Sequence, residues 1–161
     1  MAVKLAGAPL LMHATAVALG DKVALLRGLS GAGKSDLALR FLAGETNVKQ
    51  CGGLGAGVGK PRRLVADDQV LLTRQGEHLI ARAPDTIMGR LEVRGLGIID
   101  VPAIATGTVC VLVDLVAPSD VQRMPDERYE TVLGVELPLL SLAPFEASAA
   151  IKLAIYISRK S

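Results

Sequence analysis

The chain has 161 residues and a formal net charge of +2, long enough for one domain with a substantial core and too weakly charged to attract nucleic acid or an anionic membrane by charge alone. Half of it is hydrophobic but only 2% is aromatic. The core must therefore be aliphatic, and the usual stacking platforms for single-stranded nucleic acid are missing. The residues before Leu11 lack the basic start and cleavage site of a leader, and the most apolar later stretch, 101–113, is too short to span a bilayer. These features predict a soluble, cytoplasmic protein with neither a nucleic-acid nor a membrane partner.

Residues 14–26 are small and β-branched with period-two character, broken at Gly20-Asp21. They predict a hairpin whose second strand runs from Lys22 to Arg27. After a glycine-rich loop, Leu37, Leu39, Phe41 and Leu42 fall among good helix formers, so a helix is expected from about Gly33 to Ala43. Periodicity then disappears over 44–61, where six glycines occur, and a flexible glycine-rich insertion is expected. The glycine run at 53–60 does not qualify as a phosphate loop, because Leu54 and Pro61 occupy two of the required positions. A short strand at 63–66 ends in Asp67-Asp68. Residues 70–74 and 78–82 flank a turn and predict a second hairpin. Further strands are expected at 96–101 and 108–116, and a closing helix over 145–157. His78, inside the hairpin, has no chemical partner in the pattern. Cys110 reads as a small buried hydrophobe, and Cys51 as an unpaired thiol in the glycine-rich stretch.

One segment carries definite chemistry. Gly28-Leu29-Ser30-Gly31-Ala32-Gly33-Lys34-Ser35 meets every fixed position of the Walker A pattern, with a strand expected before it and a helix after. Glycines let the backbone amides curl around a phosphate, and the following helix aims its positive end at the same anion. Lys34 supplies a mobile charge for the terminal phosphates, and Ser35 offers a hydroxyl to Mg²⁺. Nucleotide binding with Mg²⁺ follows.

Other residues are open to two readings. Asp67 and Asp68 could orient the metal or take a proton from an attacking hydroxyl, or form a solvated turn. In the segment from Leu91 to Asp100, glycines permit close backbone approach to a ligand and Glu92 could complete a metal shell; a surface turn with a solvated Glu–Arg pair is the alternative. His13 could contact phosphate or relay a proton, or be structural. Arg128 could reach a transferring phosphoryl group, although arginine is usually a surface residue.

Taken together, these residues resemble the catalytic domain of HPr kinase/phosphorylase, a bacterial enzyme acting on a serine of the phosphocarrier HPr. The resemblance rests on Met12-His13, the 28–35 loop, Leu64-Val65-Ala66-Asp67-Asp68 and the 91–100 segment, in that order. It implies an α/β fold: a P-loop kinase core with a largely β-sheet centre, flanking helices and a closing C-terminal helix, in a single domain spanning 1–161. It implies ATP and Mg²⁺ as cofactors, an HPr-like phosphocarrier as partner, a homo-oligomer (a hexamer in the family) and a regulatory role in a bacterial phosphotransferase system. Asp68 would be the general base, with Asp67 beside it, while Glu92 shares Mg²⁺ with Ser35. His13 matches the family's active-site histidine, and Arg128 its arginine.

The chain departs from the family at three points. Its Walker motif begins at residue 28, implying a short form without the usual N-terminal domain, and 44–61 is inserted. The family's basic loop before the final helix is replaced by Ala143-Pro144-Phe145-Glu146-Ala147-Ser148. Without its cations, phosphorolytic dephosphorylation is the less expected direction. A small-metabolite kinase and a non-catalytic nucleotide sensor are the alternative functions.

Overall fold

In the computed structural model, residues 7–44 and 60–160 are described. Most of 44–61, Cys51 included, lies outside them. The elements in chain order are β1 (Leu10–His13), β2 (Thr15–Leu19), β3 (Lys22–Arg27), α1 (Lys34–Ala43), β4 (Arg62–Ala66), β5 (Gln69–Gln75), β6 (His78–Arg82), β7 (Arg90–Val93), β8 (Gly97–Asp100), β9 (Thr106–Leu115), β10 (Tyr129–Val132), β11 (Val135–Leu142) and α2 (Ala149–Ser158). A short 3₁₀ turn at Pro118–Asp120 links β9 to β10.

The centre is a mixed sheet in the order β1-β5-β6-β9-β3-β2-β4. β3 and β9 pair in parallel and are apolar along most of their length, as strands buried on both faces must be. The long β9 forks the sheet. Its first residues pair antiparallel with β6, whereas its last four pair in parallel with β11. β10 adds to β11 antiparallel.

Strand alternation sorts the core into two layers. On one face Val17, Ala24, Leu26, Val111 and Val113 meet Leu37, Phe41, Leu153 and Ile157 of the two helices. On the other, Ala16, Val23, Leu25 and Leu112 are covered by Val70, Leu72, Leu79, Val132 and Leu137, so the sheet curls over itself there. Both helices thus lie on one face. The fork at β9 supplies the layer that covers the other face.

The two hairpins and the first helix form where the local pattern placed them. The closing helix begins at Ala149 rather than at Phe145, and Glu146 sits in a turn whose amide reaches the Ala143 carbonyl. Cys110 is half-buried against the helix-side core, and burial pushes its thiol up to about 11, so it remains protonated at neutral pH. No helix among the described residues is long and apolar enough to cross a membrane.

Candidate phosphate-binding and transfer site

The 28–35 loop leaves the carboxyl end of β3, a strand buried along Val23–Leu26 and held between β2 and β9. At its base Arg27 donates to Asp114 at 2.9 Å and forks onto Glu130 at 2.7 and 2.8 Å. The hydrogen bond to Arg27 holds the Glu130 carboxyl below its ordinary value. The loop then enters α1 through Gly33, at φ 100, and no side chain caps the helix. Its first amides therefore face the loop with no side-chain acceptor. Lys34 is buried, and its ammonium donates to the carbonyls of Gly28 at 2.7 Å and Leu29 at 3.0 Å. Leu29 projects outward, 87% exposed.

Asp67 is brought beside this loop by a bulge. β4 pairs with β2 through Val17↔Leu64 and Ala16↔Ala66, leaving Val65 as the extra residue. Leu64 faces the helices, while Val65 and Ala66 both face the other layer. Because a one-residue slip exchanges faces, the bulge turns Asp67, rather than Asp68, toward α1. There Asp67 Oδ1 accepts the Ser35 hydroxyl at 2.8 Å and the fully buried Thr15 hydroxyl at 3.0 Å, and Oδ2 accepts the Glu92 amide at 3.2 Å.

Asp68 is held differently. The Gln69 amide bonds to the Asp67 carbonyl at 2.8 Å across it, and its φ of 65 makes this a γ-turn with a left-handed residue at its centre. A non-glycine residue so held carries roughly 1–3 kcal/mol of backbone strain. The Asp68 carboxylate lies 2.6 Å from His13 Nε2, and both side chains are more than half exposed. β1 brings His13 there by pairing it with Gln69.

Glu92 comes from the β7–β8 hairpin, anchored by the fully buried Leu91 against the helix-side core. Gly95 and Gly97 of this hairpin have φ of 92 and 88, and a Cβ on either would meet nothing within 4 Å. The left-handed turn is what requires glycine at both positions, and no protein atom fills the space beside them.

A cleft of about 400 Å³ gathers Gly33, Lys34, Ser35, Asp67, Asp68 and Glu92, with Phe145 at its rim. Arg128 is not among its lining residues. Standing just before β10, it donates to Ser141 Oγ at 2.8 Å and lines a second cleft with Asp120, Tyr156 and Lys160. The β10–β11 pairing sets Arg128 in this second cleft. Sequence reasoning overlooked Thr15, whose only signal is one hydroxyl in an otherwise apolar run. It also overlooked Arg40, whose guanidinium grips the segment after β11.

The donor set fits a hard cation. Ser35, Asp67 and Glu92 are oxygen donors around one cleft, and Mg²⁺ keeps several waters and takes few protein ligands. Among the described residues no cluster of three His, Cys, Asp or Glu side chains could cage a metal by itself. The ion would be shared with substrate phosphates.

Comparison with known proteins supplies the context. Residues 56–147 match the family described as HPr Serine kinase C-terminal domain, a stretch that holds Asp67, Asp68 and Glu92 but begins after the phosphate loop. An HPr kinase/phosphorylase of Prosthecochloris aestuarii is 35% identical over 130 residues, covering 73% of this chain and 34% of that protein. One of Chlorobium limicola is also 35% identical, over 134 residues, covering 75% and 36%. The chain thus spans about a third of the length of the curated relatives it matches. The solved structure of the Hpr(Ser) kinase/phosphatase from Coxiella burnetii shares the fold, with a TM-score of 0.67 at 24% identity over 92% of this chain and 91% of that one.

Proposed function

The chain belongs to the HPr serine kinase C-terminal domain family, and from that premise we propose that it transfers the γ-phosphate of ATP to a serine of a small HPr-like phosphocarrier, as a regulator in a bacterial phosphotransferase system. The observation that carries this reading is the Asp68 carboxylate, which lines the same cleft as the phosphate loop and has His13 Nε2 2.6 Å away. The loop amides and Lys34 bind the phosphates and neutralise the charge that develops on them. Lys34 is free to exchange its two loop carbonyls for phosphate oxygens. Ser35 and Glu92 would hold Mg²⁺, with Asp67 fixing the Ser35 hydroxyl; the ion supplies positive charge to the β- and γ-phosphate oxygens.

Asp68 takes the proton from the serine hydroxyl as its oxygen attacks the γ-phosphorus and the bond to the β-phosphate oxygen breaks. His13 orients the carboxylate. Exposure of both side chains supports a serine carried on a protein surface, since a small metabolite is ordinarily enclosed. The segment after β11 contains neither Arg nor Lys up to Ser148, so these residues serve the kinase direction better than the phosphorolytic one.

The test is to incubate the protein with ATP, Mg²⁺ and an HPr-like carrier and to locate phosphate on the carrier by mass spectrometry. Phosphoserine is expected. Its absence under conditions where ATP binds would refute the substrate assignment. Carrier phosphoserine incubated with inorganic phosphate reads the reverse reaction.

A further inference from the structure

Phe145 has no part in the chemistry above. The chain contains two Phe, two Tyr and no Trp. Phe41 is fully buried, whereas Phe145 is 70% exposed although it lines the phosphate cleft. The tip of its ring rests on the N-cap of α1: a Cβ at Gly33 would come within 2.9 Å of Cζ. Its backbone is clamped from both sides. Arg40 of α1 donates to the carbonyls of Pro144 and Glu146, while Glu146 is paired with Lys152 of α2 at 2.9 Å. The backbone on both sides of the ring is thus tied to α1, while most of the ring's surface is in water.

Topology places this ring where the organic part of a nucleotide belongs. The strands β3, β9 and β11 run parallel side by side, and ligands of such sheets bind beyond the carboxyl ends of the strands. The phosphate loop follows β3, and Phe145 follows β11. The segment bears no cation to meet phosphate, and its only charge, Glu146, is already paired. An exposed aromatic face beside a phosphate cradle offers an apolar surface to a flat base.

We propose that Phe145 is the base-stacking residue of this site, so that a nucleotide binds there more tightly than a bare polyphosphate. The proposal rests on the reading of the 28–35 loop as a nucleotide phosphate site. Calorimetric binding of ATP and of inorganic tripolyphosphate, both with Mg²⁺, tests it in wild type and Phe145→Ala. The substitution is expected to weaken ATP about tenfold and tripolyphosphate less than about twofold, the range for loss of one base–aromatic stack. Because the chain lacks tryptophan, Phe145→Trp provides a single reporter, expected to bind ATP like wild type and to be quenched by ATP but not by tripolyphosphate. Equal weakening of both ligands would overturn the proposal, since the ring would then only shape the loop; so would no weakening of ATP. Failure of both ligands to bind wild type would instead remove the phosphate-loop reading, and the stacking role with it.

Discussion

The corner that holds Asp67 and the turn that holds Asp68 are adjacent in the chain, yet one is closed and fully hydrogen-bonded while the other is open and strained. Asp67 is 9% exposed and accepts Thr15, Ser35 and the Glu92 amide. Asp68 is 67% exposed at its side chain, with φ of 65 and His13 as its partner. A carboxylate with three donors is suited to fix geometry, because it cannot move without leaving buried polar groups unpaired. A carboxylate with a free lone pair facing water is suited to meet an incoming hydroxyl. The difference originates in the extra residue Val65, which decides which of two identical side chains faces the loop.

Breaking the closed corner should have the largest effect on stability. Asp67→Ala leaves the Thr15 hydroxyl and the Glu92 amide without their acceptor, and is expected to lower unfolding free energy by about 1–3 kcal/mol in chemical denaturation. It should also weaken the Mg²⁺ dependence of ATP binding. Thr15→Val removes one donor at nearly constant shape and should cost about 0.5–1.5 kcal/mol by the same measurement. At the open turn, Asp68→Asn keeps a side chain that tolerates the left-handed conformation. Stability should change by less than about 0.5 kcal/mol and ATP affinity should be unchanged. Smallest of all, Arg128→Ala acts in the other cleft, and ATP affinity should stay within about twofold, a shift of at most ~0.4 kcal/mol. A large loss of ATP affinity there would mean that Arg128 reaches the phosphates.

What the sequence disclosed was local. The β2–β3 hairpin, the phosphate loop with α1, and the β5–β6 hairpin are each encoded by contiguous periodicity and turn residues. β1 and β11 escaped detection because partners distant in sequence make them strands: Leu10–His13 alternates poorly in burial, and β11 contains Pro138. β7 and β10 pair with the next strand in the chain, but four residues each are too few to show a period. Of the site, the residue types were legible but their division of labour was not. Nothing in Ala66-Asp67-Asp68 announces a bulge, which exists only against β2. The late start of the closing helix, at Ala149 rather than Phe145, was likewise hidden, since Arg40 reaches the Pro144 and Glu146 carbonyls from more than a hundred residues away in sequence.

Single-turnover transfer from ATP to the carrier serine, compared between wild type and Asp68→Asn at equal ATP occupancy, tests the assignment of the open carboxylate most directly. The wild-type rate should exceed that of the variant by about 10²–10⁴-fold, the usual contribution of a positioned base. Equal rates, with the carrier phosphorylated by both proteins, would contradict it.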